Sequence, residues 1–166
     1  MILDLKDIFA DHKDRMQVSY SRDLLSDAGL YDKVSHVNID ADIINNSGIV
    51  SLILDVNFSY DTSCDRCAAD LHRDYKNSFK HTLVSEGTDS KDDYIVLDNY
   101  NLNLDQVVRD DILLDKPSKI LCKTDCKGLC PECGADLNYE KCSCKNYQVD
   151  PRLEVLKHFI DKNIDK

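Results

Sequence analysis

Val50-Ser51-Leu52-Ile53-Leu54-Asp55-Val56-Asn57-Phe58-Ser59-Tyr60 puts an apolar side chain at every second position, the two-residue period of a strand with one buried face. Upstream, Val37, Ile39, Ala41 and Ile43 alternate with Asn38, Asp40 and Asp42, and Asn45-Asn46-Ser47-Gly48 supplies turn residues between the two runs. Downstream, Leu71, Tyr75, Phe79 and Leu83 recur with polar residues between them. Three antiparallel strands are the economical reading, and Cys64 and Cys67 then fall in the turn joining the second strand to the third.

Asn103 can accept hydrogen bonds from the free amides of a following helix, in which Leu104, Val107, Val108 and Ile112 recur at helical spacing before Pro117 stops it. Pro151 opens a last amphipathic helix, with Leu153, Leu156, Phe159 and Ile160 on one face. Ser85 to Asp93 is charged and without period, so an exposed, mobile loop is expected. The first thirty residues read both ways: Leu3 and Leu5 suit a strand, and Leu5, Ile8 and Phe9 suit a helix. The fold class expected is α+β, an antiparallel β-sheet body with a few helices and a C-terminal zinc-ribbon-like, Cys-rich appendage. Its expected divisions are a β-rich body with one helix over 1–116, a Cys-rich zinc-binding region packed on that body over 117–150, and a helical tail over 151–166.

The chain has 166 residues, of which 42% are hydrophobic and 31% charged, the composition of a folded globular protein. No apolar run approaches the length of a membrane span. Met1-Ile2-Leu3-Asp4-Leu5-Lys6-Asp7 places acid where a signal peptide needs a basic start, so a cytoplasmic protein with no membrane partner is expected. In a reducing cytosol, an even number of thiols points to metal rather than to disulfides.

Formal net charge is −10, unevenly spread. Residues 1–115 hold 11 Lys and Arg against 23 Asp and Glu, whereas from 116 onward there are 10 basic and 8 acidic residues. The cations therefore sit with the cysteines. An acidic body repels a phosphate backbone, which leaves only a local nucleic-acid contact through the C-terminal part; the plainer reading of those lysines is solubility.

The eight cysteines, Cys64, Cys67, Cys122, Cys126, Cys130, Cys133, Cys142 and Cys144, fall in four pairs. Tetrahedral Zn²⁺ is held by four thiolates at about 2.3 Å, so four pairs make two sites. Cys130-Pro131-Glu132-Cys133-Gly134 is a zinc-knuckle sequence: Pro starts the tight turn and Gly relieves the backbone after the second ligand. The shortest closed site joins Cys130 and Cys133 to Cys142 and Cys144, leaving Cys64, Cys67, Cys122 and Cys126 for the other. Cys126 could also replace either member of the Cys142/Cys144 pair. A rubredoxin-like iron centre and a redox-switched zinc site remain as alternatives to structural zinc.

Four thiolates fill every position of such a site, which argues against catalytic zinc. His12, His36, His72, His81 and His158 show no metal-like spacing, and no nucleophile-elbow, phosphate-loop or dinucleotide pattern is present. Asp92-Asp93 and Asp110-Asp111 read as solvated acidic faces. Neither an enzymatic activity nor a small-molecule substrate is therefore expected.

Cys64-Asp65-Arg66-Cys67, the helix end Asp110-Asp111-Ile112-Leu113-Leu114, and the run Cys122-Lys123-Thr124-Asp125-Cys126-Lys127-Gly128-Leu129-Cys130-Pro131-Glu132-Cys133-Gly134 together resemble the YceD family, also called DUF177. Asp136-Leu137-Asn138 and Val149-Asp150-Pro151-Arg152-Leu153 extend the likeness, which spans roughly residues 48–160. The resemblance implies a bacterial or plastid protein required for accumulation of 23S ribosomal RNA, encoded in many bacteria beside ribosomal protein L32, with no known enzymatic activity. Some branches keep ligands matching Cys64, Cys67, Cys122 and Cys126 and lack the later four, which favours the partition above.

The expectation is thus a non-enzymatic factor for large ribosomal subunit biogenesis, with two Zn²⁺, that binds precursor rRNA or a ribosomal protein such as L32. Arg66, Lys119, Lys123, Lys127, Lys141, Lys145 and Arg152 flank the metal loops and are the candidates for phosphate contact. If the partner is a basic ribosomal protein, the acidic body is the contact surface instead. The alternative is a redox-sensing zinc chaperone or regulator; an RNA-processing enzyme is the remaining class.

Overall fold

A computed structural model describes residues 1–26, 29, 31–86 and 94–144. Among them the elements run β1 (Ile2–Asp4), α1 (Lys6–Phe9), β2 (Arg15–Arg22), β3 (Lys33–Val34), β4 (Val37–Asn46), β5 (Ile49–Ser63), β6 (Asp70–Ser85), β7 (Tyr94–Leu97), β8 (Asn101–Asn103) and α2 (Leu104–Asp115). The chain divides into two units, Met1–Cys126 and Lys127–Lys166.

The first unit is built on a sheet of order β2-β4-β5-β6-β7, with β3 paired to β5; all pairings are antiparallel except β6 with β7. The three expected strands are β4, β5 and β6. Ser47 and Gly48 turn β4 into β5 with positive φ at both positions (52° and 87°), the geometry whose twist matches a two-residue hairpin, and Asn45 Oδ1 accepts from the Gly48 amide. One face of β4 and β5 is buried through Val37, Ile39, Ala41, Ile43, Val50, Leu52, Leu54 and Val56, continuous with Leu104, Val108 and Ile112 of α2. Burying each large aliphatic side chain contributes about 1.5–3 kcal/mol, so this face outweighs any single polar contact in the unit.

Polar bonds fix where α2 lies against the sheet. Asn103 Oδ1 accepts from the Gln106 amide and caps the helix, as its sequence position suggests. Tyr20 Oη of β2 donates to Asp105, His81 Nε2 of β6 lies 2.8 Å from Asp111 Oδ2, and Tyr75 Oη of β6 donates to Asp115. Asp111 is therefore a buried, partnered carboxylate rather than a solvated one. Phe58 and Tyr75 stack beneath the helix end with centroids 4.7 Å apart.

The ambiguous N-terminus is both things in turn: Leu3 lies on β1, which pairs with β8, and Ile8 is buried on α1. Strand β2 was not expected, although Met16, Val18 and Tyr20 alternate with Gln17 and Ser19 as they should. Ser85 closes β6, while the rest of the expected loop from residue 87 and the helix expected from Pro151 lie outside the described residues.

Asp105 gathers the N-terminal ammonium, Tyr20 and Arg22. Burial raises its carboxyl, but these donors outweigh that and hold it below the usual range. A depressed carboxylate contributes stability at neutral pH that is lost as pH falls through the folded value. Asp105→Asn is expected to cost about 1–2 kcal/mol at pH 7, with the gap to the wild type narrowing as pH falls toward and below about 4. Thermal melts at a series of pH values check this, and a pH-independent gap would contradict it.

Candidate metal centres

The tip of the β5–β6 hairpin is a knuckle. The Ala68 amide donates to the Cys64 carbonyl and the Cys64 amide to the Ala69 carbonyl, both at 2.9 Å. Cys130-Pro131-Glu132-Cys133-Gly134-Ala135 repeats this, with Gly134 N to Cys130 O at 2.9 Å and Cys130 N to Ala135 O at 2.8 Å. Both turns need a left-handed residue after the second cysteine. Gly134 meets that at φ 74°, whereas Ala68 holds φ 56° with a Cβ.

The first knuckle is completed by the segment leaving α2. Asp65 grips it twice, its amide donating to Ile120 O at 2.9 Å and its Oδ2 accepting from Ile120 N at 2.5 Å. This places Cys122 and Cys126 against Cys64 and Cys67, with Sγ–Sγ distances of 3.8 Å (Cys64–Cys126) and 3.6 Å (Cys67–Cys122) and all four sulfurs within 4.8 Å. A tetrahedron with bonds of about 2.3 Å has edges of about 3.8 Å, so the donor set fits a tetrahedral thiophilic cation. Leu71 and Leu121 pack over this cluster.

Electrostatics point the same way. Burial raises the Cys64 thiol, but the amides of Arg66, Cys67 and Cys122 more than offset it and pull the thiol down to about 6. For Cys67 the Ala69 amide lowers the value, while burial and the crowding of Cys64, Cys122 and Cys126 win and push it up to about 12. The amides favour thiolate, and the crowding forbids four bare thiolates together. A cation at the centre satisfies both, and its binding expels protons.

The second cluster is Cys130, Cys133, Cys142 and Cys144, again with all Sγ within 4.8 Å; Cys133–Cys142 is 3.5 Å and Cys130–Cys142 is 3.3 Å. The Cys133 and Glu132 amides lower the Cys130 thiol to about 7. Asp136 and Asn138 hold the return path: Asp136 Oδ1 accepts from the Asn138 amide, and Asn138 Oδ1 accepts from the Lys127 amide. Within residues 127–144 only Gly128 and Cys130 are buried. Both groupings coincide with the partition expected from spacing, and all eight thiols are free of disulfides.

The expected phosphate-contact residues separate. Lys119, Lys123, Lys127 and Lys141 are exposed. Arg66 is exposed too, but its Nη1 donates to the Cys126 carbonyl at 2.7 Å and braces the first cluster. Lys145 and Arg152 lie outside the described residues. Arg73 was not anticipated: from β6 its Nη2 reaches the Leu121 and Cys122 carbonyls at 3.4 and 3.5 Å. Only the register could have found it: Arg73 lies opposite Tyr60, three pairs from the Ser63↔Asp70 end of the ladder that carries the knuckle, while its carbonyl partners follow α2 in the chain.

A mostly antiparallel sheet whose longest hairpin ends in a metal knuckle, followed by a second four-thiol loop, defines a class of protein able to hold two metal ions in all-cysteine sites. The chain belongs to the YceD family: residues 52–160 match the family model described as "Large ribosomal RNA subunit accumulation protein YceD". It is 28% identical to the uncharacterized protein YlbN of Bacillus subtilis over 103 residues, 60% of each chain. It is 30% identical to the uncharacterized protein Rv2926c of Mycobacterium tuberculosis over 88 residues, 53% of this chain and 42% of that one. The chain thus covers less than two thirds of the length of either relative. No solved structure matches it significantly. No described helix is long and apolar enough to cross a membrane.

The two knuckles differ at one residue in a way that can be measured. Ala68→Gly is expected to stabilise the first unit by about 0.5–1 kcal/mol, and Gly134→Ala to weaken the second loop by about 1 kcal/mol through backbone strain, since an added Cβ at Gly134 meets nothing within 4 Å. Chemical denaturation and competitive chelation check both; a destabilised Ala68→Gly protein would contradict the common geometry. Cys133→Ser is expected to remove one metal equivalent and unfold 127–144 while leaving the sheet intact, as read by elemental analysis and amide NMR spectra. A fully metal-loaded, folded variant would count against it.

Proposed function

We propose that the protein is a non-enzymatic factor in large ribosomal subunit biogenesis that supports 23S rRNA accumulation in the cytoplasm. Zinc occupies both tetra-cysteine sites, and the cations around the metal loops contact phosphates of precursor rRNA. The observation that carries this reading is the match of residues 52–160, which take in both clusters, to a family described by accumulation of the large ribosomal RNA. Zinc supplies rigidity when bound: four thiolates leave no open coordination position, so the metal holds loops rather than activating water. Cys64, Cys67, Cys122 and Cys126 hold the first ion and Cys130, Cys133, Cys142 and Cys144 the second.

Lys119, Lys123, Lys127 and Lys141, with Lys145 and Arg152, are the phosphate ligands in this reading. Loops pinned by metal present them at a lower ordering cost than free loops would. A redox-regulated zinc protein is the second reading, favoured by the exposure of Cys133 and Cys144.

Sedimentation of the tagged chain through sucrose gradients tests the first. It is expected to travel with pre-50S particles at low salt and to leave them at high salt, since each phosphate contact contributes a slope of about 0.7–0.9 to the salt dependence. Lys123→Glu combined with Lys127→Glu should release the chain at lower salt. Absence from the particles at low salt, with zinc lost at low peroxide doses, would favour the redox reading.

A further inference from the structure

The two four-thiol clusters share a coordination geometry and differ in what shields them. In the first, Cys64, Cys67 and Cys126 are buried, Cys122 is half-buried, and Leu71 and Leu121 pack over the sulfurs. Arg66 and Arg73 donate to carbonyls of the ligand-bearing segment and hold it in place. In the second, Cys133 and Cys144 are exposed, Cys142 is half-buried and Cys130 alone is buried. A small reagent from solvent therefore reaches the second set of sulfurs far more readily than the first.

The four sulfurs of the second cluster are also unequal among themselves. Cys130 faces the amides of Glu132 and Cys133, and Cys142 accepts from the Cys144 amide at 3.2 Å. Such donors draw electron density from a thiolate and blunt it as a nucleophile. No amide among the described residues donates to the Cys133 sulfur, which lies 3.5 Å from that of Cys142. Cys133 is thus the thiolate placed for oxidation, and Cys142 the one placed to trap the product. Glu132 adjoins Cys133 and Glu140 lies two residues before Cys142, both exposed, so an anionic oxidant is disfavoured and a neutral one is not.

We propose that the second centre is a hydroperoxide-sensitive modification site, in which Cys133 is oxidised and joins Cys142 in a disulfide, with loss of that centre's ion while the first centre keeps its own. The inference rests on zinc occupying the second centre, as proposed above, and on neither reading of the partner. The Cys133 thiolate attacks the peroxide: the O–O bond breaks, an S–O bond forms and hydroxide leaves. The Cys142 thiolate then attacks the Cys133 sulfur, forming the S–S bond and expelling a second hydroxide. Two electrons have passed from the sulfurs to the peroxide. Cys130 and Cys144 take protons from solvent and no longer hold the ion. Lys127 and Lys141 lie on the stretch that loses its metal, so their presentation slackens, whereas Lys119 and Lys123 belong to the first unit.

The test starts from the full chain, shown by elemental analysis to carry two zinc equivalents, and treats it with hydrogen peroxide while a chromophoric chelator reads released zinc. Expected is release of one equivalent about tenfold or more faster than the other, reversed by dithiothreitol with added zinc. Trypsin cuts after Lys127, Lys141 and Lys145, so a disulfide joining peptides 128–141 and 142–145 appears as one linked mass, and fragmentation should place it at Cys133 and Cys142. Cys64, Cys67, Cys122 and Cys126 should still be reduced. Cys133→His keeps a zinc ligand without a thiol and is expected to retain two equivalents at doses that take one from the wild type. The wild-type peptide map decides the matter even where that variant fails to fold. Release of both ions at one rate, oxidation of the first centre, a bond other than Cys133 to Cys142, or no release at doses that oxidise free cysteine would overturn the proposal. Fewer than two equivalents before treatment would overturn the zinc reading, and this proposal with it.

Discussion

Four sulfurs must meet at the corners of one tetrahedron, and in the first unit they come from segments 55 and 62 residues apart in the chain. Loop closure over such a span costs little more than over a short one, because the entropy grows only with the logarithm of length. What is demanding is the aim of the two ends. The β5–β6 ladder, continuous from Val50↔Leu83 to Ser63↔Asp70, fixes one end by carrying the Cys64–Cys67 turn on a rigid arm. The other end is set by α2, whose direction is held by Tyr20, His81 and Tyr75. The Asp65 clasp on Ile120 then closes the last few ångströms.

The second cluster obeys the same coordination geometry with the opposite support. Its ligands are 9 and 12 residues apart, within a loop that buries almost nothing else. The knuckle hydrogen bonds and the Asp136–Asn138 turn set its shape, and among the described residues no apolar layer stands behind them. An ion bound here would supply much of the loop's stability, whereas the first unit has a buried sheet and helix besides its four sulfurs.

What could be read in the sequence follows from this difference. The β4, β5 and β6 alternations and the Asn103 cap are local patterns, and so are the cysteine spacings of the second cluster. Strand β2 had a legible pattern in Met16, Val18 and Tyr20, yet half-burial at an edge gives a weaker contrast than the full burial of β4. β7 and β8, at four and three residues, are too short to carry a period, and β7 pairs parallel across a connection the sequence does not specify. Asp111 looked solvated beside Asp110 because its partner His81 is a neighbour only in space. Arg73 was hidden for the same reason, as its carbonyl partners belong to the segment after α2.

Charge near the metal loops can be divided by the same spatial logic. A site of four thiolates around a divalent ion carries two negative charges, which nearby cations and amides must balance. Arg66 and Arg73 are committed to this, since both donate to carbonyls of the ligand-bearing segment and hold positive charge beside the sulfurs. Replacing either would perturb the metal site first, and any loss of partner binding would be indirect. Lys119 and Lys123 in the first unit, and Lys127 and Lys141 in the second, have no such duty: their side chains are exposed and enter no ion pair among the described residues. The two arginines that steady the first centre thus come from the β5–β6 turn and from β6, whereas Lys119, Lys123, Lys127 and Lys141, which follow residue 115, keep their side chains in solvent.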